Sequence, residues 1–448
     1  MNRLLNKIAR VLQWLLPSPF TLAVLLLAVT YFFAVFGAMP QTPFLQRNLE
    51  AISFFEKGIW SLLPFAMQMA LMLLLGYVIA LSDVVKSFIT ILTKRLKNTA
   101  QAALWIGFFT LFFSYLNWAL GLIFGAILAS EVAQQFSKER KPFNYPLIAA
   151  AGYVGLMVWH GGLSGSAPLK IAEQGHFLQN KIGVINIGQT IFSSMNLFVI
   201  FSTLIVVPLF LYWIGKKVRT EIYHLAQNDR ADANPKTLNL QGAERLDYSR
   251  GISLLFVLFL FGAIVLKLWN HFSLSVFTIN YLNLILLATA LLVQKNFNRF
   301  LSAVGQAIGS TAGILIQFPI YAGIMGIMRY SGLIDIVTAK FIELATPHTF
   351  NFLVFLSAGM VNFVVPSGGG QWIIQGALVV DAAKALHLPV SQSVMAFAYG
   401  DQLTNMLQPF WALPLLGITG LKAKQIFPYT FLLLIIGFLI FTTAIFLF

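Results

Sequence analysis

Long apolar runs separated by short polar connections dominate the chain. Runs of about twenty apolar residues have the length at which an α-helix crosses the hydrocarbon core of a bilayer, whereas strands of a membrane barrel are shorter and alternate. The pattern therefore predicts an all-α polytopic membrane protein. Nine runs are predicted as single spans: about 20–37, 60–82, 145–168, 187–214, 251–268, 279–295, 307–329, 390–418 and 427–447.

Two further apolar stretches, about 99–135 and 348–386, are too long for one helix and are interrupted near their middle. Asn117-Trp-Ala-Leu-Gly121 interrupts the first, and Pro366-Ser-Gly-Gly-Gly370 interrupts the second. Proline and consecutive glycines end helices, and the backbone groups that they free must be satisfied inside protein or water. We therefore predict two re-entrant helical hairpins, each made of two half-helices joined at a tip.

The two halves of the chain resemble each other, which predicts two inverted repeats, each with one hairpin and one broken transmembrane helix. The first half spans 18–214 and the second 251–448, with a polar cytoplasmic linker at 215–250 between them. The matching positions share nearly one offset: Tyr153 with Tyr399, Pro168 with Pro414, and Asn117 with Asn362.

Composition and charge agree with a membrane setting. The chain is 58% hydrophobic and only 10% charged, against about 25% charged in a soluble domain. Its net charge of +14 comes from short basic clusters between apolar runs, such as Lys94-Arg95 and Lys216-Lys217. Such clusters indicate cytoplasmic loops rather than nucleic-acid binding. They predict a cytoplasmic N-terminus and a C-terminus on the opposite side.

The first seventeen residues form a separate element. Arg3, Lys7 and Arg10 recur at helical spacing opposite leucine and isoleucine. This pattern predicts an amphipathic cytoplasmic helix over 1–17, lying on the membrane surface. The chain has no cysteine, which excludes disulfides, thiolate nucleophiles and Cys-based metal sites.

The second hairpin tip is the first candidate binding site. Ser367, Gly368, Gly369 and Gly370 would present a hydroxyl and bare backbone amides at the start of a helix, which suits a carboxylate. Trp372 and Phe363 are predicted to line an apolar pocket for the tail of the substrate. The candidate substrate-binding residues are Asn117, His160, Ser164, Ser166, Asn362, Ser367, Gly368, Gly369, Gly370, Gln371 and Trp372.

A second polar segment, Gly400-Asp-Gln-Leu-Thr-Asn-Met-Leu-Gln-Pro409, interrupts the span at about 390–418. Asp401 is an intramembrane carboxylate and therefore a functional candidate. Thr404, Asn405 and Gln408 follow at helical spacing on the same face as Asp401. Hard oxygens from Asp401, Thr404 and Asn405 could hold a sodium ion, or Asp401 alone could carry a proton.

The corresponding segment of the first half is Trp159-His-Gly-Gly-Leu-Ser-Gly-Ser-Ala-Pro168. His160 would be a proton carrier or a substrate donor, beside the hydroxyls of Ser164 and Ser166. A serine-hydrolase interpretation of His160, Ser164 and Asp401 is disfavoured, because Ser164 lies in no Gly-x-Ser-x-Gly elbow. With no Walker sequence, uphill transport would need an ion gradient.

Three blocks together resemble the bacterial short-chain fatty acid transporter family: Val365-Pro-Ser-Gly-Gly-Gly-Gln-Trp372, Tyr399-Gly-Asp-Gln-Leu-Thr-Asn405 and Trp159-His-Gly-Gly-Leu-Ser-Gly-Ser166. The resemblance runs nearly end to end. It implies uptake of acetoacetate or butyrate. Through the wider ion transporter superfamily it also implies a homodimer and an elevator motion. The serine, asparagine and threonine signatures that bind sodium in the dicarboxylate relatives are not kept here, except at Thr404-Asn405.

These observations predict an inner-membrane secondary transporter, and not an enzyme, for short-chain fatty acids or similar small monocarboxylates. Coupling would be to sodium or to protons, with no cofactor beyond a sodium ion. The expected partners are the substrate, the bilayer and a second copy of the chain. A passive anion channel and a symporter for another carboxylate, such as a dicarboxylate, are the alternatives. No second polar patch is apparent that would bind a second charged end, which favours a monocarboxylate.

Overall fold

The computed structural model describes residues 19–225, 242–270, 276–363, 365 and 367–448, and the predicted helix over 1–17 lies outside them. Within these ranges the regular elements are helices, apart from one isolated bridge between Phe143 and Glu221. The first half contains α1 (Pro19–Phe33), α2 (Phe44–Ile59), α3 (Leu63–Ala80), α4 (Asp83–Arg95), α5 (Thr99–Leu116), α6 (Trp118–Lys138), α7 (Tyr145–Ala151), α8 (Ser166–Ile171), α9 (Gln179–Ile182) and α10 (Ser194–Lys217).

The second half repeats this order after an additional pair of helices, α11 and α12. From α13 to α21, the helices longer than one turn can be paired in chain order with those from α1 to α10, although several pairs differ in length. The elements are α11 (Glu244–Asp247), α12 (Arg250–Asn270), α13 (Ile279–Gln294), α14 (Phe297–Ala307), α15 (Ala312–Tyr330), α16 (Leu333–Leu344), α17 (Phe350–Asn362), α18 (Gly368–Ala385), α19 (Val390–Thr404), α20 (Pro409–Thr419) and α21 (Ala423–Leu447).

Seven helical segments of the described ranges are long and apolar enough to cross a membrane. The prediction of an all-α polytopic membrane protein is therefore confirmed. Some details differ from the sequence expectation. The helix predicted to start at 187 begins at Ser194, because the residues before it form turns. Ser193 Oγ accepts a hydrogen bond from Asn196 N and so caps the helix. Four amphipathic helices, α2, α4, α14 and α16, were not predicted.

Hairpin 1, formed by α5 and α6, has both outer ends at one end of the molecule. Thr99, where α5 begins, accepts a hydrogen bond from Asn144 N at 3.1 Å, and Asn144 Nδ2 donates to Arg219 O at 2.9 Å. Tyr145 OH donates to Thr419 O at 2.8 Å. The start of hairpin 1 therefore lies beside the ends of α10 and α20.

Hairpin 2, formed by α17 and α18, opens at the other end. Ser393 Oγ donates to Asn351 Oδ1 at 2.8 Å near the start of α17, and neighbouring Gln392 donates to Phe448 O at 3.2 Å. The 25-residue helix α21 separates this end from Thr419. The two hairpins thus open toward opposite ends of the molecule.

The helices form two packed groups. In the frame, which we define as α1, α2, α3, α12, α13 and α15, α1 packs on α15 and α13 packs on α3, as expected for repeated halves. Gly58 of α2 and Gly326 of α15 allow the two backbones to approach closely, since a Cβ on either glycine would lie 3.0 Å from the Cα of the other. The second group, the hairpin bundle, contains both hairpins with α7, α8, α10 and α19 to α21.

Candidate substrate and coupling site

The tip of hairpin 2 is formed by Ser367 and the start of α18. Ser367 Oγ accepts from Gly370 N at 3.3 Å and so caps the helix. The glycines are required by space: a Cβ on Gly368 would lie 2.7 Å from His160 Cε1 and 2.9 Å from Asp401 Oδ2. The backbone of Gly368, the first residue of α18, therefore lies directly against His160 and Asp401.

His160 and Asp401 form a fully buried pair, with His160 Nδ1 2.5 Å from Asp401 Oδ2. The other ring nitrogen, Nε2, accepts from Ala167 N at 3.1 Å and lies 3.0 Å from Ser166 Oγ. Because Nε2 is an acceptor, the hydrogen-bond network places the ring proton on Nδ1, facing the carboxylate. The structure thus orders hydroxyl, imidazole and carboxylate in one chain, through Ser166 and not Ser164.

The backbone around His160 is not helical, and side chains from elsewhere satisfy it. Gln402 Oε1 accepts from both His160 N, at 3.0 Å, and Gly161 N, at 3.1 Å. Asn196 Nδ2 donates to Gly161 O at 2.8 Å. Buried backbone groups outside helices need such partners in an apolar interior. The non-helical backbone at His160 and Gly161 is therefore stabilised by specific side-chain hydrogen bonds.

The tip of hairpin 1 lies on the far side of a tryptophan pair. Asn117 Oδ1 accepts from Leu120 N at 2.9 Å and caps α6, and Ser164 Oγ accepts from Trp118 N at 2.9 Å. The Trp118 and Trp159 rings are 5.9 Å apart, and Trp159 stacks on His160 at 4.6 Å. Asn117 and Ser164 therefore contact the His160 region through tryptophan rather than directly.

The predicted coupling residues surround Asn362 at the end of α17. Asn362 Nδ2 lies 2.7 Å from Asp401 O, 2.9 Å from Thr404 Oγ1 and 2.7 Å from Asn405 Oδ1, and Gln408 Nε2 donates to Asn362 O. Three oxygens thus converge on an amide that has two hydrogens. Asp401 contributes its carbonyl here, while its carboxylate faces His160. Its two groups thus belong to two neighbouring clusters.

Gln371 and Trp372 follow the tip but point away from it. Gln371 Nε2 donates to Ala358 O and to Gln375 Oε1, both at 2.7 Å, and so ties α18 to α17. The Trp372 ring packs edge-to-face on Phe397 at 5.1 Å, and Phe397 in turn lies against His160. Trp372 therefore contributes to the wall of the site, whereas Gln371 holds hairpin 2 together.

Several buried polar atoms beside this site have no hydrogen-bond partner in the described ranges. An unpaired buried donor or acceptor costs about 1–3 kcal/mol, so such a concentration is typical of a site that takes polar ligands or water. Those that belong to residues described above include Asp401 Oδ1, Gln402 Nε2, Trp159 Nε1, Trp372 Nε1 and Asn362 Oδ1.

Sequence reasoning missed a second buried polar cluster. Lys170 and Glu173, at the end of the first broken span, are 9% and 7% exposed and form an ion pair at 2.9 Å. Both residues follow Pro168, where the predicted apolar span ends, and neither was among the candidate site residues. Their opposite charges three residues apart were the available signal. The expectation of no second polar patch is therefore wrong.

Two solved structures share the fold. Neisseria gonorrhoeae MtrF, described as illuminating a class of antimetabolite efflux pumps, superimposes with a TM-score of 0.61 at 14% identity, covering 97% of each chain. The Alcanivorax borkumensis YdaH transporter gives a TM-score of 0.54 at 16% identity over 95% of this chain and 98% of its own. The fold is thus that of a multi-pass membrane transporter.

The chain belongs to the short chain fatty acid transporter family, whose model matches residues 1–448. A relative named as a short-chain fatty acid transporter in Escherichia coli (strain K12) is 37% identical and aligns over 97% of each chain. A relative of the same name in Haemophilus influenzae (strain ATCC 51907 / DSM 11121 / KW20 / Rd) is also 37% identical and aligns over 96% of this chain and 95% of its own. The predicted family and the prediction that the chain is not an enzyme are confirmed.

Proposed function

We propose that the protein is a secondary active transporter that carries short-chain fatty acids or similar small monocarboxylates, such as butyrate and acetoacetate, across the bacterial inner membrane. The observation that carries the proposal is the meeting of the hairpin 2 tip with the buried His160–Asp401 pair. There, the first-turn amides of α18 and the unpaired indole N–H group of Trp159, whose ring lies against Gly368, offer donors to a carboxylate.

Charge balance supports ion coupling. A substrate carboxylate at the tip of hairpin 2 would lie close to Asp401, which is fully buried. Two negative charges about 5 Å apart repel by roughly 3 kcal/mol at an effective dielectric constant of 20. Binding would therefore be favoured when a cation arrives with the substrate and leaves with it.

Two places could take that cation. A proton would reside on the His160–Asp401 pair. A sodium ion would use the oxygens that converge at Asn362, namely Asp401 O, Thr404 Oγ1 and Asn405 Oδ1, with Asn362 turned to present its unpaired Oδ1. The oxygen types fit sodium, and the short imidazole–carboxylate contact fits a proton.

We further propose an elevator motion of the hairpin bundle against the frame, in a homodimer. The opposite entry of the two hairpins and the paired halves support inverted repeats with re-entrant hairpins. The ends of α4, α6 and α10 carry Lys94, Lys138 and Lys216. The cluster of basic ends supports a cytoplasmic N-terminus and a C-terminus on the opposite side.

Uptake of labelled butyrate into proteoliposomes tests the proposal, with an inward sodium gradient and an inward proton gradient imposed separately. Saturable accumulation driven by one gradient is expected. Counterflow, in which internal unlabelled butyrate accelerates entry of the label, separates a carrier from a passive channel. If no carboxylate in a panel from acetate to succinate gives saturable uptake under either gradient, the proposed function is wrong.

A further inference from the structure

Among the lysines and arginines of the described ranges, only Lys170 is buried. It lies on α8, four residues after Ser166, which contacts His160. A buried lysine without a functional or structural partner is rare because desolvating an ammonium group is costly. In a carrier of anions, a buried ammonium group beside the candidate site is a candidate for binding the substrate.

Lys170 is placed next to the tip of hairpin 2. Its Nζ lies 5.1 Å from the centroid of the Phe65 ring. A Cβ on Gly369 would lie 3.1 Å from Phe65 Cζ, so the same ring contacts the tip. One aromatic ring of α3 therefore touches both the ammonium group of Lys170 and the glycines proposed to receive the carboxylate.

Lys170 retains donor capacity. Its hydrogen-bond partner in the described part of the chain is Glu173, through Oε2 at 2.9 Å. An ammonium group has three donors, so one bond to Glu173 leaves donors with which an arriving carboxylate can bind before Glu173 is released. The electrostatic attraction of the ring face of Phe65 adds to the stability of a cation at this position.

Glu173 is held from the opposite side by the frame. Gln68 Nε2 donates to Glu173 Oε1 at 3.2 Å and to Asn280 Oδ1 at 3.0 Å, and Asn280 is exposed. Asn283, 7% exposed, donates to Gln68 O, and its own Oδ1 is unpaired. The cluster therefore lies between the hairpin bundle and the frame and reaches the surface at Asn280, as an entry station for a polar solute would.

We propose that Lys170 binds the substrate carboxylate at a second station between the protein surface and the hairpin 2 tip, and that Glu173 is its built-in competitor. The proposal rests on the proposed function and adds a residue to it. The arriving substrate carboxylate takes the place of the Glu173 carboxylate, so the ammonium group of Lys170 always has an anionic partner. The exchange releases Glu173 to Gln68, which already binds it.

The role predicts opposite effects for the two partners. Glu173→Gln removes the competitor and keeps the cation, so the KM for butyrate should fall by about threefold, and the KM of the double variant described next should lie at least about threefold above that of the wild type. The double variant Lys170→Gln/Glu173→Gln also removes the cation, so its KM should exceed that of Glu173→Gln by about ten- to a hundredfold, the value of a charge-assisted hydrogen bond. Lys170→Arg, which keeps the charge, should retain saturable uptake.

A purely structural ion pair predicts a different pattern. The double variant leaves no unpaired buried charge, so it should then transport like the wild type, while Glu173→Gln alone should lose stability and activity. Elution as a single species in detergent and the thermal unfolding midpoint establish that each variant is folded. Because the double variant contains no unpaired charge, it remains informative even if a single variant fails to insert.

The outcomes separate the two proposals. Saturable wild-type uptake with unchanged KM in the double variant would overturn the role of Lys170 and leave the proposed function standing. Absence of saturable uptake of every carboxylate by the wild type would overturn both. A low KM in Glu173→Gln together with a high KM in the double variant would establish the site.

Discussion

Substitution of Gly368 by alanine tests the placement of the hairpin 2 tip most directly. The added Cβ would lie 2.7 Å from both His160 Cε1 and Trp159 Cη2, and 2.9 Å from Asp401 Oδ2. Real Cβ atoms do not approach other heavy atoms so closely. The three neighbours cannot easily retreat, because His160 is bonded at both ring nitrogens and its ring stacks on Trp159.

The magnitude follows from the packing. One added carbon in a tightly packed interior costs about 1–3 kcal/mol, which corresponds to roughly a five- to 150-fold loss if the strain falls on the substrate-binding geometry. Gly262→Ala is the matched control, since a Cβ there meets nothing within 4 Å. Gly262 lies in the interior of α12, so Gly262→Ala reports the effect of an added methyl group without a close contact, and a loss seen only in Gly368→Ala reflects the contact at the tip.

Initial rates of labelled butyrate uptake into proteoliposomes, at equal protein density, measure the effect. Gly368→Ala should retain at most about a fifth of wild-type uptake, while Gly262→Ala transports normally. The expected fall is in kcat/KM, because the tip, which we propose binds the carboxylate, also contacts the His160–Asp401 pair. If Gly368→Ala inserts, elutes normally and transports like the control, the tip does not lie against His160 during transport and the site assignment is wrong.

Three further substitutions test neighbouring parts of the structure. Asp401→Asn should make butyrate flux independent of the gradient that drives the wild type, and unchanged ion dependence would contradict its coupling role. Asn362→Ala removes the tie between hairpin 2 and the end of α19 and should lower stability by about 1–3 kcal/mol; an unaltered thermal unfolding midpoint would refute this. The hydrogen bond from Arg299 lowers the pKa of Asp83 below its usual value of 3.8. The pair therefore stabilises the fold fully above pH 3.8, and this stabilisation is lost as the pH falls through the lowered pKa of the folded state. Asp83→Asn should therefore cost up to about 1 kcal/mol near pH 7, since the carboxyl is half exposed, and nothing in strong acid; an equal deficit at both pH values would argue against the pair.

The sequence predicts the hairpins well because their signals are local. Asn117 and the glycines from Gly368 interrupt apolar runs, and the structure breaks its helices at these residues. The amphipathic helices α2, α4, α14 and α16 were missed because a search for continuous apolar runs ignores helices that are apolar on one face only.

The contacts within the site are beyond such reasoning. His160 and Asp401 are 241 residues apart, and their pairing depends on how two broken spans lie side by side. Spacing likewise suggested that the Asp401 carboxylate, Thr404 and Asn405 share one cluster. In the structure the carboxylate faces His160, and only the backbone carbonyl of Asp401 joins Thr404 and Asn405 around Asn362. Such turns of a side chain are settled by packing, which sequence periodicity does not encode.

The bonds from Gln402 to the backbone of His160 and Gly161 have a consequence for biogenesis. The donor amides and the acceptor oxygen are separated by about 240 residues of chain. At a synthesis rate of 5–20 residues per second, the acceptor emerges about 12 to 50 s after the donors. Until then, the backbone amides of His160 and Gly161 lack Gln402 as their acceptor, and other groups, such as water, must satisfy them. The first half therefore depends on the second half to complete its fold. A chain that stops at the linker would lack this acceptor, and adding the second half as a separate polypeptide should restore the native structure around His160.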